Sequence, residues 1–265
     1  MPIDSLLIER TGNICTLVLN RPEKKNSLSP ELAQSLLTAL EKLSGDDTIR
    51  VIVIRGSGDQ AFCSGYDIGS LPAKAGDNTD SNLEPINRVE SIFKTIIHYP
   101  WPVIAMLNGA AYGAGFELAI CCDIRIGAED IRIGMPPAKL GIAYPWNGLK
   151  RFIQSIGLQT TREMFFTGQT YEGSNLKQMG LVDHLVPRKK LEAFTYQMTE
   201  AIAGNAPLAL KGTKKVINLI LDDLKLDNKK RMVAEAITQE TFLSEDVKEG
   251  RLAFLEKRPP QFKGR

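Results

Sequence analysis

The sequence predicts an α/β fold. A core of alternating strands and helices spans residues 1–204, and an α-helical region follows over residues 205–265. Three observations carry this. "IRVIVIRGSG" and "PVIAMLNG" are short, apolar, β-branched runs closed by glycine, the pattern of strands buried on both faces. Between them, "NRVESIFKTIIHYP" has its apolar residues at helical spacing. From "NAPLALKGTKKVINLIL" onward only the helical period remains.

In chain order, "SLLIERTGNICTLVLNRP" reads as two strands around a Thr11-Gly12-Asn13 turn, the second stopped by Pro22. "SPELAQSLLTALEKL" offers a serine N-cap, Pro30 at the first helical position and leucines at helical spacing. After the strand "IRVIVIRGSG" comes "LPAKAGDNTDSNLEP", a polar Gly- and Pro-bearing loop placed over a site. "FELAICCDIRIG" reads as a buried helix running into another strand. The strand–helix–strand rhythm puts helices over a sheet. The closing helices are "KKRMVAEAITQETFL" and "EDVKEGRLAFLEKR". No internal repeat is evident.

Composition narrows the class. The chain has 265 residues, 43% hydrophobic and 24% charged, enough to bury a core without staples. A net charge of +2 gives no field that would draw nucleic acid or an acidic membrane. No apolar run reaches membrane-span length, and "MPIDSLLIER" lacks the pattern of a secretory leader. Cys15, Cys63, Cys121 and Cys122 have neither metal-ligand nor disulfide spacing. These features predict a reducing compartment, the cytoplasm, with no metal, nucleic-acid or membrane partner.

Two stretches hold candidate chemistry. "AYGAGFE" (111–117) is not a dinucleotide loop, because Gly109, Gly113 and Gly115 have the wrong spacing, and it lacks the Gly-Lys-Ser/Thr of a P-loop. What remains is a turn into a helix N-terminus, whose outward N–H groups suit an oxyanion or serve packing alone. "QAFCSGYDIGSL" (60–71) is a strand end meeting Ser-Gly, with Gly65 able to turn the backbone, the Tyr66 N–H able to face a cleft, and Asp67 placed as a cap. His98, His184, Asp123 and Cys63 read as structural.

Taken together, "LVLNRPEKKNSLS", "AFCSGYDI" and "NGAAYGAGFELAICCDIRI" resemble the enoyl-CoA hydratase/isomerase family, the crotonase superfamily. "GLVDHLVP" and "AFLEKRPPQF" extend the likeness over essentially the whole chain. The resemblance implies a crotonase-type ββα spiral, a C-terminal helical oligomerisation region forming a homotrimer or homohexamer, and an acyl-CoA substrate of fatty acid metabolism. No cofactor is implied beyond the coenzyme A carried by that substrate. Two backbone N–H groups, those of Tyr66 and Ala114, would polarise the thioester and hold an enolate. Ser64, Gly65, Tyr66, Asp67 and Ile68 would line the path of adenine and pantetheine. Lys24 and Lys257 would approach the CoA; for both, a solvated surface charge is the plain alternative.

Family hydratases hold a water between two glutamates. The resemblance places the first at Glu117, for which a helix-start carboxylate favoured by the dipole is the structural alternative. The second belongs where "GMPPAKLGIAYPWNGL" has Pro137, which cannot titrate. The same stretch looks like the branch that decarboxylates methylmalonyl-CoA, in which a tyrosine follows the Leu-Gly pair; here that is Tyr144, with Trp146 or Phe116 as an apolar wall. That branch has histidine in place of Tyr66, where the donor is the backbone N–H in either case, and threonine in place of Pro136, whose missing hydroxyl weakens the inferred carboxylate contacts. The favoured reading is a carbon–carbon lyase acting on a 2-carboxyacyl-CoA. The alternatives are a hydratase or isomerase using Glu117 alone, and an acyl-CoA-binding or scaffold protein.

Overall fold

The structure, a computed structural model, describes residues 4–67, 84–222 and 228–263. Strands β1 (Leu6–Thr11) and β2 (Ile14–Leu19) pair antiparallel around Gly12, with Leu6 opposite Leu19 and Thr11 opposite Ile14. Helix α1 (Pro30–Ser44) begins where the Ser29 hydroxyl accepts the Leu32 N–H at 3.2 Å. Pro30 stands where no intrahelical donor is needed. Its leucine spacing buries Leu32, Leu36 and Leu40.

The chain then repeats one unit three times. The first is β3 (Val51–Gly56), β4 (Ala61–Cys63) and α2 (Glu84–Ile97). The second is β5 (Val103–Leu107), β6 (Ala110–Tyr112) and α3 (Ala114–Ile120). The third is β7 (Ile124–Ala128), β8 (Arg132–Gly134) and α4 (Trp146–Thr167). In each unit the first strand joins a large sheet and the second a small one. The larger sheet has the order β1-β2-β3-β5-β7-β10, closed by β10 (His184–Val186) and parallel from β2 onward. The smaller has the order β4-β6-β8-β9, with β9 (Thr170–Glu172) antiparallel at its edge. Val53, Ile54, Ile104 and Ala105 on β3 and β5 have no exposed surface, as their unbroken apolar runs predict. This is the ββα spiral expected from the sequence. Helix α5 (Asn175–Gln178) follows β9, and α6 (Leu191–Ala203) packs against the large sheet.

The tail is α7 (Pro207–Asp222), α8 (Asn228–Leu243) and α9 (Glu245–Glu256). It grips the spiral through polar contacts. The buried Lys214 ammonium donates to the Asp123 carboxylate at 2.6 Å and to the Trp101 carbonyl at 3.0 Å. Asp123 also accepts the Val103 N–H at 2.7 Å, so its role in packing is as expected. Lys211 lies 4.2 Å above the Trp101 ring. Helix α9 rests on the 3-10 turn Pro137–Leu140, with Gly250 pressed against Leu140, and the Thr241 hydroxyl on α8 accepts the Ala143 N–H at 3.0 Å. Among the described residues, no helix is long and apolar enough to cross a membrane.

Candidate active site

The small sheet brings the two glycine stretches together. Strands β4 and β6 are parallel neighbours, Ala61 beside Ala110 and Cys63 beside Ala111, so the segments after them leave from the same sheet end. Open α/β sheets place ligands at such carboxyl ends. After β4, the Ser64 N–H donates to the Lys25 carbonyl, and the Ser64 hydroxyl to the Lys24 carbonyl at 3.4 Å. The Leu28 N–H donates to the Gly65 carbonyl at 2.8 Å, and the Asp67 N–H to the Leu28 carbonyl at 3.1 Å. This parallel bridge turns the Tyr66 N–H to the side away from Leu28. Gly65 has φ +97°, and a Cβ there would lie 2.8 Å from the Tyr112 carbonyl oxygen and 3.5 Å from the Ala114 nitrogen. Only glycine combines that backbone angle with so close an approach. Lys24, Ser64, Gly65, Tyr66, Asp67 and Ala114 are thus one neighbourhood, and Arg21 closes it with a 2.9 Å ion pair to Asp67. Ile68 lies outside the described residues. Lys257 is elsewhere: it is the exposed left-handed cap ending α9.

Glu117 sits in the first turn of α3, 3% exposed. Each of its oxygens has a donor. The Tyr144 hydroxyl donates to Oε2, and the Arg151 guanidinium to Oε1 at 2.6 Å. The second guanidinium arm reaches the Glu90 carboxylate on α2, and the group lies 5.3 Å above the Phe93 ring. Burial pushes Glu117 above the usual carboxylate range; the Arg151 charge and the Tyr144 hydroxyl oppose the shift, and Glu90 adds to it. Burial, together with the Glu117 charge, raises the phenols of Tyr144 and Tyr66, so both stay protonated. Gly148 makes room for this cluster. A Cβ there would fall 2.5 Å from Tyr144 Cε1 and 3.0 Å from Glu117 Oε1.

The wall beside Tyr144 is aromatic. Its ring lies 5.1 Å from Phe165 and edge-on to Phe152 at 6.3 Å, and Phe152 meets Phe116 at 5.7 Å. Of the two expected wall residues, Phe116 is there. Trp146, at the start of α4, makes none of these ring contacts, which come from Phe152 and Phe165. Pro137 is buried at the start of its 3-10 turn. Burial raises the Cys63 thiol to about 12, which keeps it from being a nucleophile at neutral pH.

Arg151 and Glu90 escape a reading of the sequence. Arg151 meets Glu117 across 34 residues and Glu90 across 61, and neither Arg151 nor Glu90 lies in a motif. The nearest local signal is Gly148, one helical turn before Arg151.

Comparison with known proteins agrees with this geometry. The family model for enoyl-CoA hydratase/isomerase matches residues 9–265. A putative enoyl-CoA hydratase of Thermus thermophilus is 33% identical over 253 residues, 95% of this chain and 98% of that protein. Methylmalonyl-CoA decarboxylase of Escherichia coli K12 is 30% identical over 256 residues, 96% of this chain and 95% of that protein. A solved structure of methylmalonyl-CoA decarboxylase in complex with 2-nitronate-propionyl-CoA superposes with a TM-score of 0.91 at 29% identity, covering 98% of this chain and 99% of that one. On these matches, which span nearly its full length, the chain belongs to the enoyl-CoA hydratase/isomerase family, the crotonase superfamily of acyl-CoA enzymes.

Proposed function

We propose that the chain decarboxylates a 2-carboxyacyl-CoA such as methylmalonyl-CoA. The observation that carries this reading is the state of its acids. Both oxygens of Glu117 are engaged, by Tyr144 and by Arg151, and by the family resemblance Pro137 takes the position of the second, water-activating carboxylate. The other nearby acid, Glu90, is separated from Glu117 by the Arg151 guanidinium, which fills the place a shared water would need. Decarboxylation needs no base at its start. The bond from Cα to the carboxylate carbon breaks, carbon dioxide leaves, and the electron pair passes into a thioester enolate. The amides of Tyr66 and Ala114 hold the enolate oxygen, each worth about 3 kcal/mol by comparison with other oxyanion holes. A proton from solvent then replaces the carboxylate on Cα. Tyr144 stands beside the acyl carboxylate and turns it out of the thioester plane, against the aromatic wall. Ser64 to Asp67 line the pantetheine path, and Lys24 meets the CoA.

The similarity to a methylmalonyl-CoA decarboxylase supports this reading. The hydratase relative supports a second, hydration or isomerisation with Glu117 alone. Mass spectrometry of the wild type with methylmalonyl-CoA, malonyl-CoA and crotonyl-CoA separates them. Carbon dioxide release with little hydration is expected. Tyr144→Phe removes only the oxygen that turns the acyl carboxylate, and should lower the release with CoA binding kept. Brisk hydration of crotonyl-CoA and no carbon dioxide from either carboxylated thioester would reverse the order of the two readings.

The helical tail fits an assembly of copies, a homotrimer or homohexamer, because it exposes Leu208, Ile220, Leu255 and Phe254. Light scattering at micromolar concentration tests this, and a stable monomer would count against it. The four cysteines are free and buried, which suits a reducing compartment such as the cytoplasm.

A further inference from the structure

We propose that Arg151 is a positioning residue: shared between Glu90 and Glu117, it holds Glu117 as a hydrogen-bond acceptor and so draws the single Tyr144 hydroxyl proton away from the acyl carboxylate. That this serves decarboxylation rests on the reading above; the wiring itself does not.

A tyrosine hydroxyl has one proton to give. The Tyr144 oxygen contacts Glu117 Oε2, and while Glu117 is ionised the hydroxyl proton goes to that oxygen, so the Tyr144 oxygen presents only lone pairs to its other neighbours. An acyl carboxylate beside it is oriented but receives no hydrogen bond, and a poorly stabilised carboxylate loses carbon dioxide more readily. The arrangement needs an ionised Glu117, which burial alone disfavours. Arg151 supplies the compensating charge at 2.6 Å, itself only 10% exposed and fixed by two carboxylates and the Phe93 face. Glu90 takes the other arm of the same guanidinium and so limits how strongly Glu117 is held in the charged form. Four elements face Glu117. From α2 come Glu90 and, 3.8 Å from Glu90 at the surface, Lys94. From the segment after β4 comes the neutral Tyr66 phenol. From α4 and the turn before it come Arg151 and Tyr144. On α3 itself, Cys121 is kept protonated by burial.

Removing Arg151 reverses the wiring. In Arg151→Met, Glu117 takes up a proton and donates it to the Tyr144 oxygen, and the Tyr144 hydroxyl turns to the acyl carboxylate. The expected result is tighter binding with slower chemistry. The Kd for 2-carboxypropyl-CoA, a carboxylated CoA thioether, should fall by roughly tenfold, the scale of one hydrogen bond to a charged group. Acetyl-CoA, which has no carboxylate, should bind unchanged, and kcat for carbon dioxide release should fall together with KM. Arg151→Lys should restore part of kcat. Glu90→Gln leaves the Glu117–Tyr144 contact in place and gives the whole guanidinium to Glu117. It should move Glu117 protonation to lower pH in an isotope-edited infrared titration, with Glu117→Gln identifying the band; Arg151→Met should move it up. A Glu117 band that both variants leave in place overturns the proposal, as does an Arg151→Met protein that binds 2-carboxypropyl-CoA and acetyl-CoA equally weakly. If Arg151→Met does not fold, the Glu90→Gln titration alone decides, in favour if the band moves down and against if it does not. If the bands move as expected and wild type releases no carbon dioxide from any carboxylated thioester, the positioning role stands and the decarboxylase reading falls.

Discussion

Phe152 and Phe254 are both phenylalanines on helices, and their surroundings are opposite. Phe152 has no exposed surface and is ringed by Phe116, Tyr144 and Phe165, whereas Phe254 in the tail is 58% exposed. The contrast holds for the regions around them. The spiral buries its leucines, isoleucines and valines in one cluster. The tail turns Leu208, Ile220, Met232 and Leu255 outward, and what it buries on α7 is a lysine. Apolar burial therefore holds the spiral together, while a few polar clasps hold the tail to the spiral and leave its apolar face for another surface.

Making the same truncation in both regions tests that contrast most strongly. Phe152→Ala opens a cavity in the packed aromatic wall and should cost about 4 kcal/mol by denaturant unfolding. Phe254→Ala removes a side chain with little to lose within one chain, and should cost less than about 0.5 kcal/mol at protein concentrations where copies are separate. If copies do cover the tail, the second figure grows with protein concentration. Equal costs at all concentrations would erase the distinction.

The clasp itself comes next. Asp123→Ala leaves the Lys214 ammonium buried with only carbonyl partners, and should cost about 3 kcal/mol, the lower range for breaking a buried pair. Hydrogen exchange should speed up first along α7. Unchanged protection there would show that the tail is held by something else.

The smallest effect is expected at the tail surface. Glu249 accepts from Arg258 and from the Gln261 N–H, and these hydrogen bonds, led by the Arg258 guanidinium, lower its pKa from 4.5 to about 2. A carboxylate depressed in the folded state favours that state fully above its unfolded pKa. The contribution fades as pH falls from about 4.5 toward 2. The Gln261 backbone N–H resonance should shift across that window, and the shift should be absent in Glu249→Gln.

What could be read from the sequence divides along the same line of local against distant. The cap at Ser29 and Pro30, the runs that became β3 and β5, and the change to helix after residue 204 are set by neighbours in the chain. Strands β6, β8 and β9 have three residues each, too few for any alternation to show, and are strands because the spiral sets a partner beside them. At the site, Tyr66, Ala114, Glu117 and Tyr144 were within reach because they lie in or beside ordered motifs. Arg151 and Glu90 were not, because a charged residue on a helix looks the same whether it faces solvent or another charge.

Gly148 gives that hidden wiring a visible trace. Because any side chain there would strike both Tyr144 and Glu117, the tyrosine, the glycine four residues on and the arginine three beyond it form a spacing, Tyr-x-x-x-Gly-x-x-Arg, that can be searched for by eye. A relative that keeps all three, with a glutamate three residues after its second oxyanion amide, has room for the same contacts and should share the chemistry. A relative that has lost the arginine but kept the glycine would isolate, in a natural protein, the contribution of that one positive charge.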